Sequence, residues 1–152
     1  PNDALFRGVT IHASPEMVFR WLCQLRVAPY SYDLIDNFGR QSPQQLTPGL
    51  NQLAVGQDLM TIFDLVDFSL NQHLTMRIKQ GSSAMRLFGD LAGSYLIVPN
   101  SGESSRLLVK LVVRHPDGIV GGIIGSFLPW GDLIMMRRQL LNLKKLAEKT
   151  AS

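Results

Sequence analysis

Pro129-Trp130-Gly131-Asp132-Leu133-Ile134-Met135-Met136-Arg137-Arg138-Gln139-Leu140-Leu141-Asn142-Leu143-Lys144-Lys145-Leu146-Ala147-Glu148-Lys149 reads as one long amphipathic helix. At roughly 100° per residue, Leu133, Met136, Leu140, Leu143 and Ala147 form one stripe, widened by Met135 and Leu146. Arg137, Arg138, Lys144, Lys145, Glu148 and Lys149 take the other side. So broad an apolar face must cover apolar surface, and the strands that precede it are the only candidate. Ile134 and Leu141 break the pattern on the polar side. They either meet the segment before the helix or belong to a homodimer contact, so monomer and homodimer both stay open.

The residues before this helix read mostly as strands. His73 to Lys79 alternates, with Leu74, Met76 and Ile78 on one face. Arg106 to Arg114 does the same, with Leu107, Val109, Leu111 and Val113 together. Asp58 to Val66 is apolar enough for another strand. Met85 to Pro99 suits one bent strand or two, with Gly89 and Gly93 as bend or bulge points. Short turns between successive strands imply an antiparallel meander.

The N-terminal third supplies a strand over Ala4 to Ala13, then a helix start. Ser14 is placed to cap, Pro15 occupies the first helical position and Glu16 lies in the first turn. That helix is expected to reach about Arg26, and Tyr30 to Asp36 to form a second short one. Asn37 to Gly56 is rich in Gly, Pro and Gln and reads as a strand with a long loop, or mostly loop. Strand, helices, antiparallel strands and a long final helix make an α+β arrangement, one domain over residues 1–152. A helix across a twisted sheet leaves internal space in which a small apolar ligand fits.

Composition narrows the classes. The chain has 152 residues, a net charge of +3 and no run of five basic residues, which argues against nucleic acid as a partner. Cys23 is the only cysteine, so no internal disulfide forms, and its apolar helical setting suggests a buried thiol. With no basic leader or apolar signal segment in Pro1-Asn2-Asp3, the expected compartment is the cytoplasm. The apolar run from Gly118 to Leu128 is too short to span a bilayer.

Val9-Thr10-Ile11-His12-Ala13-Ser14-Pro15-Glu16-Met17-Val18-Phe19, with the order of elements over nearly the whole chain, resembles the START-like SRPBCC superfamily. That group holds lipid-transfer domains, the birch-pollen-allergen family and polyketide cyclases. Residues 28–37 and 128–138 are similar to those of a bacterial subgroup without a settled activity. The resemblance implies a helix-grip fold, a curved antiparallel sheet wrapped around the C-terminal helix. It also implies a hydrophobic-ligand cavity between the two, but no particular ligand and no shared catalytic residues.

Candidate site residues follow from what borders such a cavity. Tyr30 and Tyr32 can orient the polar end of a ligand, and Asp33 can act as a base; otherwise they close a short helix and cap a turn. Arg77, with Asp90 and Lys110, is either a cavity charge or part of a cross-strand ladder on the solvent face. The apolar faces opposite Arg77 and Lys110 favour the ladder. Phe127, Trp130, Leu133 and Met136 would line the cavity from the helix side. The Gly-rich segment before them is either a lid, able to touch a membrane transiently, or a packed lead-in to the helix. His12, His73 and His115 lack metal-ligand spacing, the glycines of 118–125 lack a phosphate-loop lysine, and no cofactor is expected. Three readings result: a binding protein for a small hydrophobic molecule such as a lipid or polyketide-like compound, a cyclase or dehydratase using the same cavity, and an interaction module whose cavity is filled by side chains.

Overall fold

The computed structural model describes residues 2–27, 30, 42–60, 62–100, 102–114 and 136–151. Strand β1 (Asn2–Ile11) leads into α1 (Pro15–Cys23), which continues as a 3-10 turn over Gln24–Arg26. The Ser14 hydroxyl accepts the Met17 N–H, so the helix starts where its cap, Pro15 and Glu16 predict. Then follow β2 (Asp58–Leu59), β3 (Phe63–Ser69), β4 (His73–Ile78), α2 (Ser83–Phe88), β5 (Asp90–Pro99) and β6 (Ser105–Arg114). Residues 136–151 form the C-terminal helix, α3.

All six strands belong to one antiparallel sheet in the order β1-β6-β5-β4-β3-β2. The meander expected from the alternating segments is therefore present, with β1 returned to the edge beside β6. Leu74, Met76 and Ile78 of β4 are buried, as are Leu107, Val109, Leu111 and Val113 of β6. They meet the apolar sides of α1 and α3, where Met136, Leu140, Leu143, Leu146 and Ala147 are buried. Each buried leucine of that stripe contributes roughly 1.5–3 kcal/mol.

Three local expectations are corrected. Asp58 to Val66 is not one strand: Met60 takes a left-handed φ of 49° and the chain reverses, so β2 and β3 pair with each other. The Met60 N–H donates to the Leu25 carbonyl at 2.7 Å, a tertiary bond that holds this conformation against its local cost. Met85 to Phe88 is helical instead of extended, because Ser82 caps α2 by accepting the Met85 N–H and Gly89 ends it at φ 87°. Gly93 is no bulge, since it pairs with Leu111 and Met76 in unbroken register; the irregularity lies in β3 between Leu65 and Asp67.

The short helix expected over Tyr30 to Asp36 lies outside the described residues apart from Tyr30. The 42–57 segment is irregular, and two buried or half-buried side chains hold parts of it. Gln24 bonds Tyr30 Oη and Gln45 O and accepts the Thr47 N–H at 2.7 Å. Arg26 donates to the carbonyl of Leu50 at 2.9 Å, with longer bonds to those of Gly49 and Gln52.

Candidate functional site

The inward face of the sheet is apolar by strict alternation, and β5 presents Leu91, Gly93, Tyr95 and Ile97 to it. Gly93 leaves a gap in this row. A Cβ built there would lie 2.9 Å from Met76 Cε and 3.7 Å from Leu111 Cδ1. The tip of a flexible thioether therefore occupies the space, and such a group moves easily.

Next to that gap stands the one polar side chain of the inward row of β5. The buried Tyr95 hydroxyl donates to Gln139 Oε1 of α3, and Gln139 Nε2 lies 3.3 Å from Met60 Sδ. Burial pushes the Tyr95 phenol well above its ordinary pKa, an effect its bond to Gln139 only partly offsets. The phenol stays protonated, so it orients a hydrogen-bonding group but does not take a proton.

Tyr30 is buried and also left-handed, at φ 55°. Its hydroxyl accepts from Gln24 Nε2 at 2.9 Å and donates to the Pro43 carbonyl, while its own carbonyl accepts from Asn142 Nδ2 of α3 at 2.8 Å. Its ring stands edge-on to Trp21, with centroids 6.1 Å apart. Tyr30 thus ties three segments together under the helix. Met136 is buried at the start of the described part of α3.

Arg77 faces the opposite way. It is exposed on β4 between buried Met76 and Ile78 and clamps Asp90 through both Nε (3.1 Å) and Nη2 (2.6 Å). Lys110 is likewise outward, over the ring of Phe6 at 5.5 Å. Arg77 and Asp90 pair across neighbouring strands on the outer face, which is the ladder geometry and removes Arg77 from the interior. Tyr32, Asp33, Phe127, Trp130 and Leu133 lie outside the described residues.

Tyr95 and Gln139 are the polar members that sequence reasoning passed over. Both carried a signal: Tyr95 keeps the period-two phase of Leu91 and Ile97, and Gln139 falls inside the apolar stripe of α3. The described residues contain no group of three or more His, Cys, Asp or Glu able to hold a metal ion. No helix among them is long and apolar enough to cross a membrane. A shallow groove of about 160 Å³, between Arg20 and residues 46–51, opens to the surface away from the Tyr95–Gln139 pair.

Comparison with solved structures identifies the architecture. A *Mesorhizobium loti* protein solved by a structural genomics consortium superposes with a TM-score of 0.59 at 15% identity, covering 97% of this chain and 98% of that one. A point mutant of norcoclaurine synthase from *Thalictrum flavum*, in complex with a transition-state analogue, gives 0.58 at 12% identity over 100% and 98%. The chain has the Bet v1-like helix-grip fold. The Zhui aromatase/cyclase from *Streptomyces* sp. R1128 shares this helix-grip fold with a TM-score of 0.54 at 13% identity, over 100% and 97%. No protein-family profile matches the chain, and neither does any curated protein. At these identities the likeness carries the helix-grip architecture and nothing about chemistry.

Proposed function

We propose that this helix-grip protein binds a small hydrophobic molecule between the inward face of its sheet and α3. The observation that carries the reading is the Gly93 position, filled only by the movable Met76 tip, which a ligand could displace, and set beside the Tyr95–Gln139 pair. An apolar body would rest on Met76, Leu111 and Met136, gaining roughly 25 cal/mol for each Å² of apolar surface removed from water. With its proton given to Gln139, Tyr95 would orient a ligand hydroxyl by accepting from it. Tyr32, Asp33, Phe127, Trp130 and Leu133 remain candidate contributors to the same space, with lipids and polyketide-like compounds the ligand types we favour.

Native mass spectrometry of gently isolated protein tests this reading. The expected result is a bound apolar molecule released on unfolding, together with saturable binding of the neutral dye Nile red. Gly93→Val, which fills the gap, should weaken dye binding at least tenfold while the circular dichroism spectrum is retained. Absence of both the bound molecule and saturable dye binding would sink the proposal and leave the interaction-module reading.

A cyclase or dehydratase reading draws on the aromatase/cyclase and norcoclaurine synthase among the structural neighbours. It needs a group that exchanges a proton inside the cavity, and no carboxylate is buried among the described residues. Asp33 is the residue we assign to that role. Asp33→Asn should then abolish turnover of a polyketide-like substrate while leaving Nile red binding within twofold.

A further inference from the structure

The two edges of the sheet are finished differently. β2, at one edge, is two residues long, too short to template another strand. β1, at the other, runs for ten residues in unbroken register with β6. Backbone groups alternate in direction along such a strand, so every second residue of β1 bonds β6 and the others turn N–H and C=O to the open side. Two contacts with α3 mark the open side: Lys144 Nζ donates to the Thr10 carbonyl and the His12 N–H donates to Glu148 Oε2, each at 2.8 Å. The backbone groups of Asn2, Ala4, Phe6 and Gly8 share the direction of those of Thr10.

α3 thus closes this edge from Thr10 onward, and residues 2–8 are left as a template. Gly8 is exposed, and since it has no side chain the surface it exposes is backbone. Ala4 and Phe6 are exposed as well, Phe6 at 66%. β1 holds no proline and no bulge, and Ala4, Phe6 and Gly8 carry no charge, so the common guards of an edge strand are missing from these positions. The charges of the stretch are Asp3 and Arg7, and they decide which strand it accepts.

A second copy of β1 fits it. Antiparallel pairing over residues 2–8 has one centred register, with Leu5 opposite Leu5 of the copy. Asn2 then forms a hydrogen-bonded pair with Gly8 and Ala4 with Phe6, each pair occurring twice. The large Phe6 falls opposite the small Ala4. Arg7 falls opposite Asp3, also twice, at the positions between the hydrogen-bonded pairs, where facing residues approach most closely. Moving the register by two residues loses this match. One direction brings Thr10, whose carbonyl Lys144 holds, opposite Asn2, and the other shortens the paired stretch to residues 2–6.

We propose that the protein forms a homodimer through antiparallel pairing of β1 with β1 of a second copy, across a two-fold axis at Leu5, so that the two six-stranded sheets become one. α3 limits the pairing to residues 2–8, and the Arg7–Asp3 pairs set its register.

Sedimentation equilibrium from micromolar to submillimolar protein tests it, with circular dichroism as the check on folding. The wild type should pass from monomer to dimer as concentration rises. Ala4→Pro removes an N–H that faces the open edge and not β6, so it should keep the native spectrum and stay monomeric. Arg7→Asp turns two opposite-charge pairs into two like-charge pairs and should weaken the dimer about tenfold. Adding Asp3→Arg to that variant restores opposite charges and should return the wild-type affinity. Arg106→Gln, on the outer face of β6, should leave association unchanged. A wild type that is monomeric at every concentration would overturn the proposal, as would a dimer that survives Ala4→Pro with the native spectrum. So would a dimer indifferent to Arg7→Asp, or one that the exchanged pair fails to restore. If Ala4→Pro loses the native spectrum, the charge exchange decides alone.

Discussion

Glu148 Oε2 accepts two donors at once, the His12 backbone N–H at 2.8 Å and Lys144 Nζ at 2.6 Å, and so fastens the C-terminal helix to the residue that follows the first strand. Partial burial by itself pushes the Glu148 carboxyl upward, yet the bonds from His12 and Lys144 outweigh it and hold the group below its ordinary pKa. A depressed folded-state pKa means stability that is present above the unfolded value and lost as pH falls through the folded one. Thermal melting followed from pH 7 down to pH 3 should show Tm falling over this range. Glu148→Gln should lower Tm at pH 7 by a few degrees, about 1 kcal/mol, and flatten the acid limb of the profile. An unchanged acid limb would show that other carboxylates govern it.

The Tyr95 hydroxyl is the donor to Gln139 inside an otherwise apolar contact. Tyr95→Phe takes that donor from a buried amide oxygen and should cost about 1–2 kcal/mol. Tyr95→Phe combined with Gln139→Leu should be less destabilising than the sum of the two single changes, by at least about 0.5 kcal/mol. Urea unfolding of the four proteins measures the coupling. Strict additivity would mean that the bond contributes nothing net.

Gln24 is fully buried, and its side chain serves Tyr30, Gln45 and Thr47 together. Gln24→Leu leaves several buried polar groups without these bonds and should cost about 2–4 kcal/mol. Limited proteolysis should then cleave within residues 44–50 much faster than in the wild type. Equal cleavage rates would show that Arg26 alone anchors the segment.

Burial pushes the Cys23 thiol up to about 12, with nearby Arg26 opposing that shift only slightly. At neutral pH it should react with a disulfide reagent only through opening of the core, at a rate that rises with urea in parallel with unfolding. Rapid stoichiometric labelling of the native protein would contradict the packing around α1.

Much of this fold can be read from short patterns. Ser14-Pro15-Glu16 starts α1, the period-two runs in β4 and β6 bury the residues they predict, and the stripe from Met136 to Ala147 faces the core. The reading fails where distant partners override local preference. Met60 interrupts an apolar run because Leu25 holds its backbone, and nothing within Asp58 to Val66 announces that bond. The signal for α2 was present in Ser82 and Gly89, but Met85 to Phe88 has the apolar character of a strand as well. The candidate site was less legible than the fold. Tyr30 was singled out to orient a ligand's polar end or to close a short helix over the sheet, and its hydroxyl bonds Gln24 and the Pro43 carbonyl. Tyr95 and Gln139 stand 44 positions apart, and a single sequence does not pair two polar residues over that span.

The placement of β1 also governs how the molecule comes into being. Its ladder partner β6 begins 94 positions after Ile11, at Ser105, and its clasp on α3 waits for Glu148. The first strand therefore has no partner during most of synthesis, whereas the β3–β4–β5 meander can assemble from near neighbours. Loops this long make closure slow, and in the interval an exposed edge of β5 or a lone β1 can pair with another chain. The pin between α3 and β1 is thus among the last contacts the emerging chain can make, and the chain stays vulnerable to aggregation until it is made.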